Sequence, residues 1–387
     1  MRWLLLLAAA TLPAAAQNPS VRIAGRVQAH FSTSSGDSTG SYDDAAAVSS
    51  QFEIRRLRLE AEARIGSRAM MRIAPSVEMA RLRMRDAFLR VAISDALGVT
   101  MGQEKKPMDR YSMISSNTLP SIERGARIRG LSSRSHSDVL EDNGYTEHDI
   151  GASVDLRADR GRILLKAGVY NGSGESTLDV NGAKTAGARI TARLAGSERR
   201  PVLRVGAAFV SRDRGITAGA TGSAFAPDSA RRTNAWGFDL EWGDFRPGLH
   251  VIADAAAGTA LRAGAHCLDG GTPIDCRVDN GNNLGALRPN APDSAFATFA
   301  SIQAVAAWRS PERRHGLVRA VEPAVRVAIT DPDRDTNGDG VVLLTPVLNL
   351  YFSETTVLRA GYDLYRYRDA GTTHTASAIR IAWQSSF

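Results

Sequence analysis

Apolar and polar residues alternate along several stretches of the chain, most regularly between residues 52 and 94. From Arg56 to Ile65 every second residue is apolar, and the intervening residues are Arg or Glu. A period of two is that of a β-strand, whose successive side chains point to opposite faces. The stretches 69–80 and 83–94 repeat the pattern. It predicts an antiparallel meander with one face suited to lipid and the other to water.

A helix is the alternative for the stretch 52–65. Arg, Glu, Ala and Leu are good helix formers, and Ile54, Leu57, Ala61 and Ile65 also fall on one helical stripe. That stretch alone does not decide between a helix and a strand. The pattern in the rest of the chain favours the strand.

Sixteen segments can be read as strands along the whole chain. They are 21–32, 52–65, 69–80, 83–94, 99–106, 150–158, 162–170, 188–194, 201–210, 235–242, 249–257, 296–308, 317–329, 341–352, 357–367 and 374–387. Short turns alternate with mostly long polar loops, and this asymmetry with an even strand number is typical of outer-membrane barrels. We therefore predict an all-β protein, a sixteen-stranded antiparallel transmembrane β-barrel. Its lipid-facing residues should include Leu57, Leu59, Val77, Leu89, Val91 and Trp383.

The first sixteen residues have the features of a secretory signal peptide: Arg2, an apolar run from Trp3 to Leu12, and small residues before Gln17. Cleavage there would leave 17–387 as one barrel domain in the lipid of the cell outer membrane. A soluble periplasmic protein is the alternative on this signal alone. No later stretch has the roughly 18 apolar residues that a spanning helix needs. The last residue, Phe387, shares a strand face with Trp383, which resembles the sorting signal of outer-membrane barrels.

Basic residues exceed acidic ones by 48 to 41, and only four of the basic residues are lysines. Arginine stays charged and holds oxyanions through a flat fork of donors. A GC-rich genome would also raise the arginine content, so the excess has two explanations. Nucleic acid is not an expected partner, because the basic residues of this exported chain alternate with glutamates.

Two cysteines, Cys267 and Cys276, lie in a segment rich in Gly, Asn and Pro. A disulfide would close a loop of about ten residues, worth roughly 2–3 kcal/mol in the chain-entropy model. An oxidising compartment favours this disulfide. A metal site is the less favoured alternative, with His266 as the only obvious further ligand, and no metal or cofactor is expected.

Four motifs, in chain order, resemble the phosphate-selective porin O and P family. They are Phe-Glu-Ile-Arg-Arg-Leu-Arg-Leu at 52–59, Met-Arg-Asp-Ala-Phe-Leu at 84–89, Met-Gly-Gln-Glu-Lys-Lys-Pro at 101–107, and Ser-Ser-Asn-Thr-Leu-Pro-Ser-Ile-Glu-Arg at 115–124. The resemblance implies a sixteen-stranded barrel with an inward-folded third loop, assembled as a homotrimer. It also implies a passive channel that passes small anions along an arginine ladder, with phosphate as the leading candidate.

Carried over by motif, the resemblance places an anion-binding constriction at Arg26, Arg56, Asp86 and Arg124, flanked on neighbouring lumen faces by Arg58 and Arg90 and continued along the loop by Arg127, Arg129 and Arg134. The alternative for each arginine is an ordinary lumen charge paired with Glu60, Glu62 or Glu78. Asp86 is expected to keep anion binding weak enough for release. Alternatively, it pairs with Arg56 or Arg90 and shapes the wall.

The chain departs from the family in its near lack of lysine, since only Lys105 and Lys106 lie at the loop entrance. Arginine binds phosphate bidentately and more tightly than lysine, which favours binding over passage. A general anion preference is therefore expected rather than strict phosphate selectivity.

Residues 335–340 resemble the opening of a calcium loop, with oxygen ligands at alternate positions. The bidentate glutamate expected later in such a loop is Pro346 here, so a solvated outer loop is favoured over a calcium site.

Signatures of metalloproteases, nucleophile elbows and nucleotide-binding loops are missing, so we expect a channel and not an enzyme. Two alternatives are kept: a closed barrel that serves as an adhesin or structural anchor, and a barrel enzyme whose Ser/His pair is assembled only in space.

Overall fold

The computed structural model describes residues 19–36, 50–78, 81–126, 128, 131, 133–179, 182–197, 200–213, 232–243, 247–262, 266–269, 272–275, 293–369 and 371–387. The helices and strands in these ranges are, in order, β1 (Ser20–Gly36), β2 (Ser50–Ile65), β3 (Ala69–Glu78), β4 (Arg81–Ala92), β5 (Leu97–Lys105), α1 (Arg110–Met113), α2 (His136–Asp142), β6 (His148–Ala158), β7 (Ile163–Tyr170), β8 (Thr185–Gly196), β9 (Pro201–Asp213), β10 (Arg232–Trp242), β11 (Gly248–Leu261), β12 (His266–Asp269), β13 (Thr272–Asp275), β14 (Phe296–Arg309), β15 (Ala320–Asp331), β16 (Val341–Tyr351), β17 (Thr356–Asp369) and β18 (Thr372–Ser386).

Every strand except β12 and β13 belongs to one closed barrel of sixteen strands, in which each strand pairs antiparallel with its neighbours and β1 pairs with β18. The predicted barrel is confirmed, and each predicted segment overlaps one barrel strand. The stretch 52–65 lies within β2, so the helical alternative is wrong. The hairpin β12–β13 and the helices α1 and α2 were not predicted, because short elements inside long loops leave little periodicity.

The outward face of the barrel carries large apolar side chains. Leu57 and Leu59 are each 48% exposed, and Leu89 and Trp383 are similarly exposed. Val77 is half-buried and pairs across the strands with Leu57, and Val91 pairs with Val99. Such a belt buries its apolar area only in lipid, which explains the alternation seen in the sequence. Among the described residues, no helix is long and apolar enough to cross a membrane.

Gly25 and Phe387 meet at the seam between β1 and β18. The amide of Gly25 donates to the carbonyl of Phe387 at 3.2 Å, and the amide of Phe387 donates back at 3.0 Å. A Cβ atom at position 25 would lie 2.4 Å from the ring of Phe387. A side chain at position 25 would displace this ring, at little cost because Phe387 is largely exposed.

Several predictions fall outside the described residues. They concern the signal peptide (1–16), Arg127, Arg129 and Cys276, the second half of the predicted disulfide.

Candidate functional site

The third loop, residues 106–147 between β5 and β6, crosses the interior of the barrel. Its Glu123 carboxylate accepts a hydrogen bond from Arg55 of β2, and its Arg110 donates from Nε to Glu241 of β10 at 2.8 Å. In the closed barrel β2 and β10 are eight strands apart in either direction. A loop bonded to both must span the space that the wall encloses.

Other contacts hold this loop along the wall. Arg326 of β15 donates from Nη1 to the carbonyl of Glu123 at 2.9 Å. Nδ1 of His136 in α2 lies 2.9 Å from the hydroxyl of Ser301 in β14. Burial lowers the pKa of His136, which favours the neutral imidazole in this contact.

A β-bulge in β2 turns two adjacent arginines toward the interior. The register between β1 and β2 shifts between Gln28 and Ala29, which leaves Arg55 as the extra residue. Arg55 and Arg56 are consequently both buried, at 4% and 7% exposure, while Ile54 and Leu57 point outward. Strict alternation would have placed Arg55 on the lipid face.

A second β-bulge, in β4, turns two adjacent charged residues toward the interior. The register between β3 and β4 shifts between Ala74 and Pro75, and Arg85 is the extra residue beside Asp86. Both side chains line the interior. The two bulges thus concentrate four charged residues on neighbouring parts of the wall.

The acid at the centre of this arrangement is Glu123 of the third loop. It accepts from Nε of Arg55 at 2.6 Å and from Nη2 of Arg56 at 2.9 Å, and its side chain is 2% exposed. Arg56 also donates from Nη1 to Gln28 at 3.1 Å. Hydrogen bonds between ions in this geometry are about twice as strong as neutral ones, so the loop is firmly tied to β2.

A cavity of about 490 Å³ lies beside this cluster, and its described lining contains nine Lys or Arg and seven Asp or Glu residues. A second cavity of about 330 Å³ shares Arg55, Glu123 and Asp142 with it. The Arg55–Glu123 pair therefore lies between two open parts of the lumen.

Five of the seven acidic residues that line the larger cavity are paired with cations. Arg58 reaches Glu78 at 3.3 Å, and Lys166 reaches Glu104 at 2.5 Å. Asp86 lies 3.2 Å from Nε of Arg72. The remaining lining carboxylates, those of Glu123, Glu141, Asp142 and Glu147, also have partners.

Three basic residues beside the same cavity form no ion pair within 4.0 Å in the described part of the chain. Arg26 is 2% exposed, reaches only the hydroxyl of Ser115 at 3.4 Å, and leaves Nε and Nη2 without a partner. Arg124 donates to backbone carbonyls of the loop, and so does Lys105. Arg26 also lies directly opposite Arg58 in the strand pairing. Lys and Arg therefore outnumber Asp and Glu among the described residues that line this cavity.

Most of the residues predicted for the constriction meet at this place. Arg56, Arg58, Asp86 and Arg124 line the cavity, and Arg26 contacts the lining residue Ser115. Arg90 does not join them: it pairs with Asp155 of β6 at 3.2 Å, close to the turn after β4.

The alternative in which Asp86 pairs with Arg56 or Arg90 is wrong. Its described partners are Arg72 and the Nε2 atom of His148, at 3.2 and 3.3 Å. Prediction from the sequence also missed Arg55, Arg85 and Glu123. Two adjacent charges within an alternating strand were the available signal of a bulge.

The described residues offer little support for calcium in the loop after β15. Arg262 holds Asp335 at 2.8 Å and Asp333 at 3.3 Å, so an arginine already neutralises these carboxylates. Elsewhere Glu147, His148 and Glu175 form a group of possible metal ligands.

Known structures share this architecture over nearly the whole chain. The anion-selective porin from Comamonas acidovorans matches with a TM-score of 0.56 and 11% identity, covering 95% of this chain and 100% of that one. The outer-membrane channel DcaP of Acinetobacter baumannii matches with a TM-score of 0.56 and 11% identity, covering 95% and 97%. OmpF of Salmonella typhi matches with a TM-score of 0.55 and 10% identity, covering 94% and 97%. At these identities the likeness shows the fold alone.

A search of curated proteins finds no significant match to the sequence. The model of the Gram-negative porin family, in contrast, matches residues 4–286, which is more than half of the chain. The chain belongs to the Gram-negative porin family.

Proposed function

We propose that this outer-membrane porin is a passive channel that prefers small anions, with phosphate as the leading candidate. The observation that carries the proposal is the imbalance of pairing in the lumen: five of the seven lining acids are paired with cations, whereas Arg26 and Arg124 form no ion pair within the described residues. Unpaired cations lower the energy of a passing anion and raise that of a cation.

Arg26 and Arg58 strengthen the case because they are directly opposite each other on β1 and β2. Like charges in such a pair repel each other. An oxyanion between the two guanidinium groups would relieve this repulsion and would use the free N–H groups of Arg26. Phosphate fits this arrangement, since arginine forks bind its oxygens bidentately.

Glu123 replaces Asp86 as the acid proposed to keep binding weak. Its carboxylate already accepts from Arg55 and Arg56, so an incoming anion competes with it for these donors. An anion held weakly enters and leaves quickly, as conduction requires.

The test is single-channel recording in planar bilayers with a salt gradient. We expect open channels, a reversal potential on the anion side, and a chloride current that added phosphate inhibits. A reversal potential on the cation side would contradict anion preference. A silent bilayer would favour the closed adhesin or anchor, and hydrolytic activity in a silent barrel would favour the enzyme.

We also propose a homotrimer, which family membership supports. Among the described residues, the shortest strand of the barrel is β7, which has eight residues. At about 3.3 Å per residue and a tilt of about 40°, it spans roughly 20 Å, less than the apolar band of about 25 Å. A second copy packed there would cover the mismatch. Light scattering of the purified detergent complex should give three chains per particle, and a monomeric mass would contradict the proposal.

A further inference from the structure

We propose that Glu147, His148 and Glu175 form a zinc-binding site in the wall of the lumen. One ligand atom from each of these residues lies within 4.8 Å of the others. Zn²⁺ binds imidazole nitrogen and carboxylate oxygen at about 2.0–2.2 Å, commonly with three protein ligands and one position left for water. Small movements of the two glutamate side chains would bring the three atoms to such distances.

The hydrogen bonding of His148 supports a metal ligand. Its Nε2 atom lies 3.3 Å from Oδ1 of Asp86, which leaves Nδ1 as the nitrogen that would bind the metal. The side chain is 4% exposed, and Nδ1 has no hydrogen-bond partner. This atom lies 3.9 Å from Oε2 of Glu147. Around zinc, a carboxylate usually orients the histidine by one nitrogen while the other nitrogen binds the metal.

The three ligands come from two segments that meet at one end of β6 and β7. Glu147 is the last residue of the third loop and His148 the first of β6, and both line the larger cavity. Glu175 lies in the connection that follows β7. The ion would therefore link the third loop to the neighbouring connection.

Two arginines compete for this site: Arg83 bonds Glu175 from Nη1 at 3.2 Å, and Arg85 bonds both glutamates. The Nη1 atom of Arg85 lies 3.2 Å from Glu147 and 2.8 Å from Glu175, so a guanidinium now bridges the two carboxylates. Arg85 also donates from Nε to Glu78 at 3.1 Å. A zinc ion can thus take the place of Nη1 while Arg85 keeps its ion pair with Glu78.

Binding can be measured directly on the untagged barrel in detergent. We would titrate Co²⁺, follow its visible absorption, and then displace it with Zn²⁺. We expect one saturable site per chain, and affinity at least tenfold weaker in His148→Gln and in Glu175→Gln, in line with the loss of a ligand. His315→Gln is the matched control, because His315 is exposed in the turn between β14 and β15. It should bind as the wild type does.

Arg85→Gln separates a metal site from an ion-pair network. Arg85 is the competing cation that bridges both glutamates, so its removal should tighten Co²⁺ binding several-fold although Arg83 still bonds Glu175, whereas a merely structural role for the acids predicts no gain. Strand content by circular dichroism and heat-dependent gel migration would verify that each variant is folded. The proposal is overturned if the wild type shows no saturable binding, if both ligand variants bind like His315→Gln, or if Arg85→Gln fails to bind more tightly.

Discussion

The carboxylate of Glu123 lies 2.6 Å from Nε of Arg55, and this buried pair joins the third loop to β2 between two cavities of the lumen. The carboxylate also binds Arg56. The loop thus supplies its own anion to the arginines that would otherwise bind a solute. This relationship makes Glu123 the most informative position for mutation.

Glu123→Gln should increase anion preference. The change removes one negative charge that acts on a passing anion, worth about 1 kcal/mol at about 4 Å in water, or roughly fivefold in affinity. Phosphate should therefore inhibit chloride current at a lower concentration. Glu312→Gln is the control, because Glu312 is exposed and pairs only locally with Arg309. Inhibition unchanged from that control would contradict the role of Glu123.

Asp86→Asn should have a smaller effect on anion binding. The change releases Arg72, but Arg72 keeps an ion pair with Glu60 at 2.7 Å. Phosphate inhibition should therefore shift less than in Glu123→Gln, by under about twofold at separations near 10 Å. Measuring both variants under the same salt gradient gives the comparison. A larger shift in Asp86→Asn than in Glu123→Gln would show that Asp86, and not Glu123, is the acid that weakens anion binding.

Arg124→Ala should weaken anion preference. Arg124 has no acidic partner in the described part of the chain, so its removal deletes an uncompensated charge. A unit charge about 8 Å from the permeating ion contributes about 0.5 kcal/mol in water, so the permeability ratio should fall two- to threefold. Arg124→Lys keeps the charge and should restore most of the ratio. Unchanged selectivity in Arg124→Ala would exclude this constriction.

Gly102→Ala should destabilise the barrel far more than Gly248→Ala. Both glycines have positive φ, +129° and +119°. A Cβ at Gly102 would lie 2.2 Å from the carbonyl oxygen of Ala87, whereas one at Gly248 meets nothing within 4 Å. Gly248→Ala should cost only the backbone strain, about 1–3 kcal/mol. Denaturant unfolding followed by tryptophan fluorescence measures both, and equal losses would show that the contact with Ala87 has no effect.

The barrel could be predicted from the sequence because the period of two is a local property. Lipid on one side and water on the other impose the alternation seen from Arg56 to Ile65, whatever the rest of the chain does. The same reasoning placed Leu57 and Trp383 outside. It also placed Arg56 on the inner face, since a strand determines the side to which each residue points.

The tertiary structure alone decided how deep in the pore each charged residue lies and which residue it pairs with. Arg90 shares a strand face with Asp86, yet it lies near the turn and pairs with Asp155, because alternation determines a face and not a height in the pore. Arg55 faces inward only because a bulge interrupts the alternation. Its partner Glu123 is 68 residues away in sequence. Which carboxylate reaches which arginine depends on how the third loop crosses the barrel, and that path follows from contacts with both walls at once.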